Sequence, residues 1–262
     1  MFTIKRIALA ALALVVAGCA LLPEHIDKAT LAKLKRVAVV SLTADEFNRQ
    51  YTGLTVFGNE LEKDDISAWK VDDAYEARLR DILSTFGRFE VVRIPYDRKD
   101  LAAMDYIGGG MSSPAWPKPA WPVLQEKLKN LARTHSVDGL VVVLKRWTPD
   151  GLGTNQRFGG TGAYARGYGS STRISLLHVI SWVVLLDGAT GEPLVARILS
   201  NNPDSNASYF QHSAPLEPLR PEISRAKLSE WTPTVTNEVR DKLLKLPDQA
   251  WEPTLRSLLR PQ

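Results

Sequence analysis

Few residues in this chain are of a type that does covalent or metal chemistry. It holds one cysteine, Cys19, and four histidines, His25, His135, His178 and His212. A thiolate is the side chain suited to forming a stable thioether, and its reactivity depends on exposure. The histidines have no H-E-x-x-H or comparable spacing and no second cysteine beside them, so no metal site is expected. His178 lies in the apolar run "ISLLHVISWVVLLD", where a hydrogen-bonded core histidine is the expectation. There is no G-x-S-x-G nucleophile elbow. The acidic pairs Asp64-Asp65 and Asp72-Asp73 stand near helix starts, where carboxylates are expected to be solvated. Neither a catalytic residue nor a cofactor is expected from these patterns.

What surrounds Cys19 gives it meaning. Lys5 and Arg6 form a positive start, Ile7 to Ala17 follow without a polar residue, and Gly18 precedes the cysteine. A charged start, a short apolar core and a small residue make a removable secretory signal, here residues 1–18. The run is too short to span a bilayer, which takes about 20 residues. The stretch Val16-Ala17-Gly18-Cys19 resembles the lipobox of bacterial lipoproteins. That resemblance implies a diacylglycerol on the Cys19 sulfur, cleavage before it and acylation of the new amine. The membrane is then a partner through the lipid anchor at Cys19. Two or three acyl chains, at about 0.8 kcal/mol per buried CH₂, hold a protein essentially permanently. Ala20, in place of an aspartate after the cysteine, implies the periplasmic face of an outer membrane.

Charge and cysteine count exclude other classes. Of the net charge of +4, two units belong to Lys5 and Arg6 and leave with the signal. No Lys/Arg run forms a nucleic-acid footprint, and an exported chain would not meet nucleic acid. With its sole cysteine acylated the chain can form no internal disulfide, and its length is sufficient for a core without one.

Residues 19–34 read as a short tether. The run "RVAVVSL" follows as a strand, and "YTGLTVFGNE" as a β-prone hairpin arm. In "VDDAYEARLRDILSTFG", Tyr75, Leu79, Ile82, Leu83 and Phe86 recur at helical spacing, so a helix is expected over 72–86, stopped by Gly87. "RFEVVRIP" then reads as a strand, completing a β–α–β order. A second helix is expected over 122–135, opened by Pro122, followed by the buried strand "LVVVL". The strand "ISLLHVISWVVLLD" and "LVARILS" read as a hairpin about "DGATGEP". Thr232-Pro233 caps a C-terminal helix. The expected fold is α/β: a single domain with a mixed sheet packed by helices. Residues 35–200 would form its body and residues 201–262 a helical extension packed on it.

Two stretches depart from this regularity, residues 107–121 and 150–172. The first repeats Ala-Trp-Pro and would either display Trp116 and Trp121 or fold them over a core edge. The second, "GGTGAYARGYGSS", fits G-x-G-x-x-A, but it lacks the strand before and helix after that a phosphate loop needs. It reads as a Gly-rich connection offering Arg157, Tyr164, Arg166 and Tyr168 as a contact surface for lipid headgroups, a glycan or a protein.

The runs "RVAVVSL", "FEVVRI", "VDGLVVVL" and "LLDGATGEPLVAR" together resemble a domain shared by curli-secretion lipoproteins, the N-terminal part of periplasmic TolB and the lipoprotein activators of peptidoglycan synthases. The resemblance covers residues 35–200 in pattern. It implies a non-enzymatic, membrane-anchored envelope lipoprotein that binds an envelope protein or glycan. A periplasmic hydrolase acting on envelope polymers is the alternative, and an oligomeric structural or secretion component the second.

Overall fold

The computed structural model describes residues 25–53, 58–102, 121–149, 156–168, 171–204 and 214–261. Cys19 and Trp116 lie outside the described residues, as does most of the first irregular stretch.

The expected α/β architecture with a mixed sheet is present. Strand β1 (Arg36–Leu42) pairs in parallel with β4 (Glu90–Val92) and with β5 (Gly139–Lys145). Helix α2 (Val71–Thr85) makes the crossover from β1 to β4, and α4 (Trp121–Thr134) precedes β5. Between β1 and α2 the chain inserts an antiparallel pair, β2 (Glu46–Thr52) and β3 (Glu60–Asp65). The ends of the stretch "YTGLTVFGNE", Tyr51–Thr52 and Glu60, belong to the two arms of this hairpin, and residues 54–57 lie outside the described residues. The rest of each arm is the more polar sequence on either side, which alternation alone does not mark as strand.

The long strand is β8 (Ser171–Asp187), and it joins two halves of the sheet. Its residues Ser181 to Asp187 pair with β5, and Ser171 to Ile180 pair with β7 (Arg157–Tyr168). Strand β7 in turn pairs in parallel with β2. The order across the sheet is β3-β2-β7-β8-β5-β1-β4. Short β6 (Trp147–Pro149) pairs with β7, whereas β9 (Pro193–Ile198) and β10 (Leu216–Pro218) pair with β8. The β8–β9 hairpin matches the expectation from "DGATGEP".

Alternation along the strands separates two cores, one on each face. Val37 and Val39 of β1, Val141 and Val143 of β5, and Val183 and Leu185 of β8 face one layer. There they meet Tyr75, Leu79 and Leu83 of α2, with Val239 and Leu243 of α6 (Pro233–Lys245) and Trp251 and Leu255 of α7 (Asp248–Leu258). Ala38, Val40, Leu140, Val142, Val184 and Leu186 face the other layer, against Leu124, Leu128 and Ala132 of α4. A sheet covered on both faces needs near-continuous apolar strands, as "LVVVL" is. The Thr232 hydroxyl accepts from the Val235 N–H and caps α6, with Pro233 in its first turn.

Residues 26–34 are more tightly held than a tether. Ile26 is buried and forms a parallel bridge with Pro261. Asp27 caps helix α1 (Lys28–Lys33) by accepting from the Thr30 N–H at 2.8 Å, and Leu31 and Leu34 are buried in the first core. Residues 26–34 thus belong to the packed body. The apolar residues at 26, 31 and 34 point inward, while the lysines between them stay in solvent.

The second irregular stretch is largely a central strand. Residues 157–168 lie between β2 and β8, and their glycines are what permit it. A Cβ on Gly162 would stand 2.0 Å from the Asn48 carbonyl oxygen, and one on Gly159 2.1 Å from that of Arg146. Glycine here marks close backbone approach, not looseness.

Candidate functional site

Where β1 and β5 end and β2 and β7 begin, the two halves of the sheet part, and backbone groups lose their ladder partners. Buried polar side chains fill this split. Thr43 Oγ1 lies 2.6 Å from Ser181 Oγ, and the Thr161 hydroxyl donates to the Thr43 carbonyl at 3.0 Å. From the first turn of α2, Asp72 accepts from the Ser41 hydroxyl at 2.5 Å, the Thr43 N–H at 3.1 Å and the Ala44 N–H at 3.0 Å. One turn on, Glu76 accepts from the Ser41 N–H at 3.1 Å. A buried backbone N–H without an acceptor is costly, so these two carboxylates complete the end of the sheet.

Asp72 is 3% exposed, which corrects the expectation that the acidic pair at this helix start is solvated. Burial raises its carboxyl pKa, against the pull of the Ser41 bond, the Arg98 charge and the two backbone donors. Arg98, which opens α3 (Arg98–Ala102), ties the layer together. It donates to the Ser41 carbonyl at 3.1 Å, Glu76 at 2.8 Å and Asp73 at 2.7 Å. Tyr96 donates to Glu76 as well. Burial and the Glu76 charge push the Tyr96 phenol well above its usual pKa.

Above this layer opens a charged cleft of about 620 Å³. Asp45 and Glu46 line it from the β1–β2 turn, Lys63 and Asp65 from β3, Ser67 and Lys70 from the link into α2, and Asp97, Arg98 and Lys99 from the start of α3. Lys145 supports one wall, 2.5 Å from Asp45 and 3.0 Å from Glu46. Against its own burial, the Asp45 and Glu46 charges hold its ammonium pKa above the ordinary lysine value. Burial would raise Glu46, but the charge and hydrogen bond of Lys145, helped by Lys63, hold it below its usual value. Lys70 has φ +58°, a left-handed conformation uncommon for a residue with a Cβ. Among the described residues, neither Lys70 nor Lys99 has a carboxylate within salt-bridge distance. Open α/β sheets commonly present ligand crevices beyond the carboxyl ends of their parallel strands, and this cleft has that position.

Of the residues expected to form a contact surface, the described ones do not line this cleft. Trp121 is 3% exposed and packs with Leu124 and Leu101 in the second core, so it covers a core edge and is not a displayed anchor. Tyr164 is fully buried, a correction to its place in the expected contact surface. The strand kinks at Gly160, where φ is +64°, and the Phe158 ring stacks on Tyr164 with centroids 4.6 Å apart. Arg157 and Arg166 are half-buried on β7, and Tyr168 ends that strand opposite Ser171. Strand pairing thus turns the Tyr164 ring inward, out of the expected surface. His178 is the core histidine expected. Its Nδ1 lies 3.1 Å from the Gly160 carbonyl, and burial lowers its pKa to about 4, leaving the ring neutral.

Sequence reasoning missed the cleft because its residues come from four separate segments. Its one local signal is Asp72-Asp73 directly after "SAWKV", at a helix start with no capping serine or threonine. Among the described residues, no three of His, Cys, Asp and Glu gather in a way that could hold a metal ion. No helix among them is long and apolar enough to cross a membrane. No protein-family model matches the chain, and no curated protein matches it.

Proposed function

We propose that this chain is a lipid-anchored envelope lipoprotein whose folded body binds another envelope component and does not catalyse a reaction. The observation that carries the reading is the sole cysteine, set directly after a basic start, an apolar run and a small residue. Acylation of Cys19 would fix the protein to a membrane, and Ala20 favours the periplasmic face of the outer membrane. The charged cleft supports the binding half of the reading. The carboxylates in the layer beneath it, Asp72 and Glu76, are engaged by backbone N–H groups. Its rim carries Lys70 and Lys99, neither within salt-bridge distance of a described carboxylate, and such ammonium groups suit acidic groups on a protein or glycan.

Two variants test this in cells. Cys19→Ser should release the protein from membranes or leave its signal uncut. A serine variant processed and membrane-bound like the original overturns the lipoprotein reading. The double variant Lys70→Glu with Lys99→Glu should stay anchored but lose crosslinks to envelope partners. Unchanged crosslinks would place the binding surface outside the cleft.

A further inference from the structure

The distance between the anchor and the first fixed residue decides which end of the body meets the membrane. Six residues separate Cys19 from Ile26, so the tether spans at most about 25 Å even fully extended. Ile26 is fixed by burial and by its bridge to Pro261. This point lies at the end of the sheet where β1 begins. Glu90 N–H donates to the Lys35 carbonyl there, and Asp138 accepts from the Lys35 and Arg36 N–H groups. The opposite end is remote. Val37 pairs with Gly139, Gly139 with Asp187 of β8, and Arg166 with Ile174 of the same strand. Asp187 and Ile174 are thirteen residues apart on β8, roughly 40 Å of strand.

The end held near the membrane also carries exposed cations. Lys28, Lys33 and Lys35 are exposed, and none has a carboxylate within salt-bridge distance among the described residues. Arg88, two residues before β4, donates to the Leu259 carbonyl at 3.2 Å and has no carboxylate within salt-bridge distance among the described residues. Of the acids at this end, Asp27 caps α1, Asp138 accepts from the Lys35 and Arg36 N–H groups, and Glu90 faces Arg36 at 3.5 Å. Basic groups just outside a membrane anchor are drawn to anionic headgroups, within a range set by screening.

Resting on the lipoprotein reading above, we propose that the body docks upright on anionic phospholipid headgroups through Lys28, Lys33, Lys35 and Arg88. The β7–β8 end, with Arg166, then points away from the membrane, and the charged cleft at the far end of β1 faces the aqueous side. A short tether limits the body to this end, and the unpaired cations bind it there. Membrane contact through Arg166, open to the sequence alone, is out of the tether's reach in this orientation.

The test uses the full chain with its signal, purified after processing and reconstituted in vesicles. One set contains phosphatidylethanolamine with phosphatidylglycerol, and the other phosphatidylcholine alone. A water-soluble amine-acylating reagent followed by mass spectrometry reads each lysine. On anionic vesicles Lys28, Lys33 and Lys35 should label several-fold more slowly than in detergent, while Lys63, Lys70 and Lys99 are unchanged. High salt should remove the protection. Equal labelling of the three lysines on anionic vesicles and in detergent overturns the docking, and equal protection on phosphatidylcholine overturns the role of charge. Intact mass and vesicle flotation are read on the same sample. A chain without acyl groups that fails to float overturns the lipoprotein reading and the docking with it.

Discussion

Asp72 accepts the Ser41 hydroxyl at 2.5 Å, linking the first turn of α2 to the end of β1 at the split in the sheet. The same carboxylate takes the Thr43 and Ala44 N–H groups, so one side chain serves three buried donors. Replacing Asp72 with Ala would strand all three, at a cost of roughly 3–5 kcal/mol. Ser41→Ala removes one donor and leaves the other two bonds, so it should cost about 1 kcal/mol. Urea unfolding of both variants checks the ratio, and equal small effects would mean that Asp72 does not complete the sheet.

Gly162 faces the Asn48 backbone across the parallel β2–β7 pair, with no space for a methyl group. Gly162→Ala must therefore push two paired strands apart, and a loss of about 3 kcal/mol is expected. Gly87→Ala is the comparison. Nothing lies within 4 Å of a Cβ there, and only the φ of +62° opposes it. It should cost about 1 kcal/mol. Thermal melts of the two variants separate close approach from backbone strain.

His178 makes stability fall in mild acid. Its pKa is lowered by burial to about 4 from the ordinary 6.5, so the unfolded chain takes up a proton that the folded chain refuses. The contribution is whole above pH 6.5 and is lost as pH falls toward 4. Between pH 7 and 4.5 this amounts to about 2 kcal/mol. His178→Gln keeps an N–H for the Gly160 carbonyl and should flatten that part of the pH profile. Denaturant midpoints at several pH values, compared between the two proteins, provide the check.

Leu79 and Leu128 are each fully buried, one in each core. Either one replaced by Ala should cost about 2–5 kcal/mol. Because they lie on opposite faces of the sheet, the double variant should show nearly the sum of the two single effects. Unfolding midpoints of the three variants test whether the two layers couple through the strands.

The sequence by itself determined the elements whose pattern is local. The spacing of Tyr75, Leu79, Ile82 and Leu83 marked α2, the run "LVVVL" marked β5, and Thr232-Pro233 marked the start of α6. In each, the residues that carry the signal are neighbours on one helix face or one strand, so a short window holds the information. The basic start and apolar run before Cys19 are legible in the same way. Tertiary structure alone decided what depends on residues far apart in the chain. Residues 157–168 look like a loop until Asn48 and Arg146 are brought against their glycines, where the missing Cβ atoms make room for a strand. Asp72 looks solvated until β1 and β2 diverge and leave N–H groups for it to accept. Ile26 looks like part of a tether until the other end of the chain returns with Pro261. A residue's type fixes what it can bond to or exclude, but which partner arrives is set by the pairing of distant strands. The cleft, built from four segments, is visible only after that pairing.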